Sequence, residues 1–403
     1  MIKKKILIIS EYFYPEEFKI NDLALRWAEL GHEVHVLTQT PTYPFGEVFS
    51  SYSNSWFSTE KYNAVTIYRV KAITGYKSSL FKKLLKYFTF MTIGSIVAFK
   101  IGKKYDYVFG FNVGALTGMF PAIIIKKLYK KPITLWVQDI WPDSVYAYGF
   151  KKTKIKEIIL NAFVRFVYRN VTKFAISSKS FEQKIQPFLE KTTPMLFAPN
   201  WSDPIDTTLF PFQFSSDKKI HFTFAGNIGK MQNLDNIIEA YMSLTPDELQ
   251  HSQLNIIGDG SHLEELKNRI SEDKTTYIHF YGRQPRETIS QYLSGSDFLL
   301  VSLKDDPVFA LTIPGKVQTY IASNKPILAI IEGETANLIK EYGLGLTAHP
   351  DDIKSIKSLF SQAIAMNQTQ RDNFTKNSNV LTNTLFSKNV IIDSLLSHIM
   401  NEQ

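Results

Sequence analysis

The sequence predicts an α/β protein of two doubly wound parallel-sheet domains, and three features carry that expectation. The second half repeats a strand, a glycine-bearing loop and a helix four times in series, the pattern of parallel strands joined by crossover helices. The first half opens on a βαβ unit over residues 5–38. The charge also divides at mid-chain: residues 1–200 hold 29 Lys+Arg against 14 Asp+Glu, and residues 201–403 hold 17 against 24. Halves of opposite sign fit two domains with different partners. At 403 residues the chain is long enough for two cores. It has no cysteine, so neither disulfides nor thiolate metal sites enter. The expected organisation is a first domain over 1–200, a linker over 201–218 and a second domain over 219–385. A helix over 386–403 is expected to cross back to the first domain.

In the first half, Lys5–Ser10 reads as a strand. Asn21 or Asp22 caps a helix over Leu23–Leu30, Gly31 stops it, and Val34–Thr38 is the next strand. The loop between, Glu11 to Asn21, is not G-x-G-x-x-G, which removes the dinucleotide fingerprint of a simple dehydrogenase. Lys19 and Asn21 stand just before the helix, where they either face a ligand or, for Asn21, cap the helix. Val65–Val70 is a strand. Leu80–Lys104 reads as a helix whose uncharged core, Tyr87–Phe99, is too short for a membrane span of roughly 20 residues. Lysines crowd its ends, and two further patches follow at 126–131 and 151–156. Apolar and aromatic residues beside lysines suit an anionic membrane interface, a contact expected of Lys82, Lys83, Lys86, Lys103, Lys104, Lys130 and Lys131. The competing reading is a core helix with solvated lysines. Nucleic acid is not expected, since no recognition motif is present and the second half is acidic. Strands at Asp106–Gly110 and Pro132–Val137 lead to Gln138–Ser144, where Asp139 and Trp141 sit at the carboxyl end of a strand. Asp139 there suits orientation of an acceptor hydroxyl, Trp141 suits a sugar face, and Asp143 reads as a helix cap. Phe174–Ser177 closes the first half.

In the second half, His221–Ala225 leads to Gly226-Asn227-Ile228-Gly229, Leu254–Ile257 to Gly258-Asp259-Gly260, and Ile278–Tyr281 to Gly282-Arg283. Glycines there let backbone approach a phosphate. The fourth unit is Val301–Ile330. Its strand meets a loop containing Lys304, then a helix opened by Pro314 and Gly315 and carrying Lys316, Gln318 and Thr319. A helix start offers unpaired N–H groups and partial positive charge, and Lys316 adds a full one. The segment reads equally as a diphosphate site beside a sugar-hydroxyl reader and as a solvated helix start.

These motifs together resemble the GT-B-fold family 4 glycosyltransferases over nearly the whole chain. The carrying residues are Glu11–Pro15 with Asn21–Leu23, Gly31–Val34, Asp139–Ser144, Gly226–Gly229 with Gln232–Leu234, Gly258–Gly260 and Pro314–Tyr320. Within the family the chain looks like the transferases of N-acetylated deoxyamino sugars such as L-FucNAc in capsule and O-antigen synthesis. The resemblance implies two facing Rossmann-like domains with a crevice between them and a UDP-sugar donor held mainly by the second. It implies a polyprenyl-diphosphate-linked saccharide acceptor on the first, retention at the anomeric carbon, no cofactor and no metal. It also implies a peripheral position on the cytoplasmic face of the inner membrane. Carried onto this sequence, Gly226, Asn227 and Gly229 approach the diphosphate, Gly258, Asp259 and Arg283 lie near the base, and Thr319 near the ribose. Lys304, Pro314, Gly315, Lys316 and Gln318 complete the donor site, Lys316 and Asp139 being catalytic.

The chain departs from the broad family at four positions. Thr319 and Leu311 stand where glutamates are usual, Asn227 where an arginine is, and Gln232 where a lysine is. The named subgroup shares these replacements. Lys316, Lys304, Arg283 or Lys230 must then meet the diphosphate charge, helped by helix termini. Asp305-Asp306 is not a D-x-D metal motif. Two other functions fit the same architecture: a UDP-sugar 2-epimerase, which needs no lipid acceptor, and a non-catalytic nucleotide-sugar binder.

Overall fold

In the computed structural model the described residues are 3–76, 80–147, 152–202, 205, 208–214, 219–270, 276–285 and 287–401. Lys151 of the third lysine patch and residues 203, 204, 206, 207 and 215–218 of the expected linker lie outside them. The chain divides into two compact units, residues 1–199 with 391–403, and residues 200–390.

The first unit is an eight-stranded sheet. Its elements run β1 (Lys5–Ile9), α1 (Lys19–Glu29), β2 (Glu33–Gln39), β3 (Phe57–Tyr62), β4 (Val65–Val70), α2 (Leu80–Ile101), β5 (Tyr107–Asn112), α3 (Phe120–Tyr129), β6 (Ile133–Val137), α4 (Asp143–Ala147), α5 (Lys154–Arg169), β7 (Lys173–Ile176), α6 (Phe181–Ile185) and β8 (Met195–Phe197). The spatial order is β3-β4-β2-β1-β5-β6-β7-β8. β1 pairs in parallel with β2 (Ile6 to Val34) and with β5 (Ile6 to Tyr107). Every residue of β5 and β6 is buried, which fits their largely apolar sequences, broken only by Asn112 and Thr134.

Three elements differ from the sequence expectation. β3 is an antiparallel edge strand that pairs with β4 across a turn at Asn63, whose φ is +51°. Its alternation of exposed and half-buried residues carries too little apolar signal to stand out. Helix α1 begins at Lys19, with Phe18 as its cap residue, so Asn21 lies in the first turn instead of capping it. The lysine patch at 151–156 leads into a full helix, α5, capped by Thr153, which accepts from the Lys156 amide.

The second unit is a six-stranded parallel sheet ordered β11-β10-β9-β12-β13-β14. Its elements are β9 (Ile220–Ala225), α7 (Leu234–Met242), α8 (Pro246–Gln250), β10 (Ser252–Ile257), α9 (Leu263–Lys267), β11 (Ile278–Gly282), α10 (Ile289–Ser294), β12 (Phe298–Ser302), α11 (Gly315–Ala322), β13 (Ile327–Ile330), α12 (Glu334–Glu341), β14 (Gly345–Ala348), α13 (Ile353–Ala365) and α14 (Gln368–Asn383). The order reverses at β9, which pairs with both β10 and β12. Ligand crevices form at such a switch point, outside the carboxyl ends of the strands. Period-two alternation splits the core: Phe298 and Leu300 pack on one face with Phe222, Tyr241 and Phe360. Leu299 and Val301 pack on the other with Val317, Tyr320 and Ile321. That second face anchors α11 and so fixes where Lys316 stands.

The last helix, α15 (Lys388–Met400), enters the first unit at Ile391. Trp27 donates its indole N–H to the Ile392 carbonyl at 3.2 Å, and Lys173 donates to the His398 carbonyl at 2.8 Å.

Candidate active site

The loops following β9, β10 and β11 converge with the first turns of α11 on a cavity of about 710 Å³ in the second unit. Gly226 and Asn227 come from the first loop, Gly258, Asp259 and Gly260 from the second, and Arg283 and Gln284 from the third. Lys316, Thr319 and Tyr320 of α11 form the facing wall. The two glycine loops touch backbone to backbone. A Cβ on Gly258, whose φ is +139°, would lie 1.8 Å from the Gly226 carbonyl oxygen. Glycine is therefore obligatory there, and the cavity floor is bare peptide.

Lys316 dominates the electrostatics. Its Nζ sits 3.8 Å from the centroid of the Phe224 ring and close beside Gly226. The nitrogen is enclosed and has no hydrogen-bond partner among the described residues. Burial pushes its pKa down to about 7. An isolated ammonium in a protein interior is costly unless something anionic meets it. The cavity it faces also receives Arg283, so the site suits an anion carrying more than one charge.

The remaining donor-site expectations separate in the structure. Gly226, Asn227, Gly258, Asp259, Arg283, Lys316 and Thr319 line the cavity. Gly229, Lys304, Pro314, Gly315 and Gln318 do not. Gln318 is buried, and its amide nitrogen donates to the Pro314 and Gly315 carbonyls at 2.9 Å each, so it ties down the helix start and faces no ligand. Gln232 accepts the Gly229 N–H at 3.0 Å and braces the loop. Lys230 pairs with Glu265 at 3.3 Å. Of the four cations expected to share the diphosphate charge, Lys316 and Arg283 line the cavity, and Lys230 and Lys304 do not. Gln284 is a cavity residue outside every sequence motif, although it follows Arg283 directly, and Tyr320 is a motif residue with no role assigned from sequence.

The first unit has its own cavity, of about 880 Å³, bounded by α2, the loop after β1, the segment 113–117 and the segment after β6. Asp139 and Trp141 both line it. Asp139 accepts the Gly114 N–H at 2.8 Å, while Trp141 donates its indole N–H to the Gly114 carbonyl, also at 2.8 Å. One residue, Gly114, thus fixes both side chains through its two flanking peptide groups. Burial raises the Asp139 pKa against the opposing amide. Asp143 starts α4 and pairs with Lys184 at 2.9 Å. Lys19 and Asn21 do not line the cavity. Asn21 accepts from the Tyr14 amide and donates to the Glu16 carbonyl, which holds the Glu11–Asn21 loop in shape.

Lys86 requires a correction. It is not at the surface but 2% exposed. Spacing gave the signal: Lys86, Phe90 and Gly94 recur every four residues on the buried stripe of α2. Glu11, a motif residue given no role from sequence, acquires a defined setting in the structure. It is buried beside Gly118, neither carboxylate oxygen has a hydrogen-bond partner among the described residues, and burial raises its pKa. Its position immediately after a parallel strand was the available clue.

Lys82, Lys103, Lys104 and Lys130 are exposed, and Lys83 and Lys131 are half-buried. Exposed apolar side chains accompany them: Phe81, Phe88, Ile96 and Phe99 on α2, and Ile155, Ile158 and Ile159 on α5. The helix over Phe81–Lys104 is long and apolar enough to cross a membrane by length and composition: its most apolar 18-residue window has a mean hydropathy of 1.4, and 28% of that window is buried in the protein. Its other side packs on α3, where Gly94 meets Pro121 and Gly102 meets Ile125.

Two parallel-sheet α/β units, the second with a polar cavity at its sheet switch point, define the GT-B class of fold. Solved structures agree: an E. coli trehalose-6-phosphate structure with UDP-2-fluoro glucose bound aligns with a TM-score of 0.75 at 11% identity, covering 99% of each chain. The sucrose-phosphate synthase of Thermosynechococcus elongatus aligns with a TM-score of 0.70 at 13% identity, covering 98% of each. An Anabaena protein, HepE, in complex with UDP and glucose aligns with a TM-score of 0.61 at 10% identity, covering 98% of each. Residues 206–380 match the family described as Glycosyl transferases group 1. The chain is 25% identical over 265 residues to WbjE of Pseudomonas aeruginosa, provisionally named a glycosyltransferase, covering 63% of this chain and 64% of that one. It is 25% identical over 388 residues to WcaI of E. coli K12, provisionally named a colanic acid biosynthesis glycosyl transferase, covering 90% of this chain and 92% of that one. Residues 206–380 thus resemble the group 1 glycosyltransferases, and the chain as a whole is similar to these two relatives.

Proposed function

We propose that this chain is a retaining glycosyltransferase of bacterial capsule or O-antigen synthesis. It moves an N-acetylated deoxyamino sugar, in our reading L-FucNAc, from a UDP-sugar to a lipid-linked saccharide. The observation that carries the proposal is the enclosed Lys316 ammonium, without a hydrogen-bond partner among the described residues, facing a glycine-floored cavity. A leaving nucleoside diphosphate gains negative charge as the glycosidic bond breaks, and fixed cations at that position stabilise the transition state more than the ground state. Lys316 and Arg283 supply that charge in this chain. Thr319 offers a hydroxyl to the ribose in place of the family's usual carboxylate. In a front-face mechanism the leaving phosphate receives the acceptor proton, and Asp139 orients the acceptor hydroxyl. Asp139→Asn keeps the shape but weakens that acceptor bond. It is expected to lower kcat at least about tenfold while leaving UDP affinity unchanged, measured by UDP release and by calorimetry. Loss of UDP affinity in this variant would remove Asp139 from the acceptor side.

The basic, aromatic first unit supports a peripheral position on the cytoplasmic face of an anionic membrane, near the lipid-linked acceptor. Replacing exposed Lys82, Lys103, Lys104 and Lys130 together with Glu is expected to abolish sedimentation with phosphatidylglycerol liposomes at physiological salt. Unchanged sedimentation would make these lysines solvated surface groups.

A further inference from the structure

The cavity of the first unit has a lining that recognition of a sugar does not require. Saccharides are held by many polar groups around their hydroxyls, but this wall is mostly apolar and aromatic, with Phe18, Tyr43, Leu84, Phe88 and Trp141 prominent. Its charged members among the described residues are two lysines, Lys83 and Lys86, and one carboxylate, Asp139.

Lys86 is a built cation site. Its Nζ donates to the Tyr12 hydroxyl at 2.9 Å and lies 4.5 Å and 4.2 Å from the centroids of the Tyr12 and Tyr76 rings. The neighbouring carboxylates do not hydrogen-bond it. Glu16 is occupied by the Phe13, Thr42 and Tyr43 amides, and the Glu11 oxygens have no partner among the described residues. The ammonium therefore sits in an aromatic cage at the cavity with hydrogen-bonding capacity to spare.

The apolar wall also continues onto the surface. Phe81, Leu84 and Phe88 line the cavity yet are 73%, 53% and 56% exposed. On α5, Leu160 lines the cavity while its neighbours Ile155, Ile158 and Ile159 are exposed. A buried cation inside, apolar walls, and an apolar rim match an amphiphile with an anionic head and a chain that leaves toward a bilayer.

We infer that this cavity seats the diphosphate end of a prenyl chain, with a phosphate at Lys86 and Lys83, the first isoprene units along the aromatic wall, and the chain leaving past Phe81, Leu84 and Phe88. The inference rests on the proposed transfer to a lipid-linked acceptor and gives that lipid a site.

Calorimetry on the full chain tests it, with farnesyl diphosphate, farnesol, inorganic diphosphate and dihexanoyl phosphatidic acid as probes and UDP titrated into the same samples. Farnesyl diphosphate is expected to bind at least tenfold more tightly than the other three. Lys86→Met and Leu84→Glu are each expected to weaken it at least tenfold with UDP affinity unchanged. Leu84 is exposed, so its variant tests the site even where Lys86→Met fails to fold. With UDP binding intact, undetectable farnesyl diphosphate binding, or binding insensitive to Leu84→Glu, overturns the inference. Equal binding of phosphatidic acid also overturns it, by making the groove a general lipid site. Absence of UDP binding to the wild-type protein instead strikes the donor reading on which the inference rests.

Discussion

Lys316→Met is expected to weaken UDP binding by more than tenfold while raising the thermal stability of the ligand-free protein. The two effects share one cause. In the free protein the ammonium is enclosed over the Phe224 ring with no hydrogen-bond partner among the described residues. The ring returns about 1–2 kcal/mol, less than the several kcal/mol that desolvating an ion costs. Methionine fills similar space without that penalty. A bound diphosphate reverses the balance, because a charge-assisted bond inside a cavity is worth about 1.5–3 kcal/mol. A lysine that merely packed would show neither the gain without ligand nor the loss with it.

The pH dependence follows with a definite sign. Burial holds Lys316 at about 7 in the free site, and a bound diphosphate raises it. Binding therefore takes up a proton above pH 7, and UDP affinity falls by up to about tenfold per pH unit until the pKa of the complex is reached. Stability of the free protein moves the other way. The unfolded chain, with its lysine near 10.4, holds the extra proton between about 7 and 10, so this lysine makes the folded state gain stability as pH rises. Lys316→Met removes both slopes. Calorimetry and thermal melts at pH 6.5, 7.5 and 8.5 read them directly.

Gly258→Ala is expected to be the most damaging single-methyl addition in the second unit's site. The new Cβ would stand 1.8 Å from the Gly226 carbonyl oxygen, far inside van der Waals contact, and the φ of +139° is hostile to any L side chain. The neighbouring bonds leave little room to yield. The Gly258 N–H is held by the Gly282 carbonyl at 2.8 Å and the Gly226 N–H by the Ile257 carbonyl at 2.9 Å. A cost of about 3 kcal/mol or more is expected, lowering Tm by roughly 6–12 °C, with donor binding lost as the loops part. Gly315→Ala is the control, since no atom of the described residues lies within 4 Å of its added Cβ. It should leave Tm within a degree or two.

Much of this was legible in the chain because parallel sheets write their strands as short apolar runs and their ligand loops as glycines after them. Helix-start chemistry made Lys316 a candidate, although the segment read equally as a solvated helix start, and Gly258 stood out by its place after β10. What was not legible depends on how side chains turn once packed. Gln318 and Thr319 are adjacent in sequence, yet a helix rotates them about 100° apart, so one folds back on Pro314 while the other reaches the cavity. Lys86 looked like a surface lysine beside Lys82 and Lys83, and only the four-residue stripe with Phe90 and Gly94 takes it inside. Strand β3 was hidden because an edge strand needs few apolar residues. Lys230 and Lys304 were interchangeable with Arg283 in a composition argument; tertiary structure alone separates them.

The most direct test of donor recognition is saturation-transfer NMR on the purified protein and its Lys316→Met variant, with a panel of UDP- and GDP-sugars. A UDP-sugar site in the second unit predicts signal from a UDP-N-acetylamino sugar, competed by UDP, absent from GDP-sugars and strongly reduced in the variant. No nucleotide signal from the wild-type protein, or a UDP-sugar signal indifferent to Lys316→Met, would contradict it.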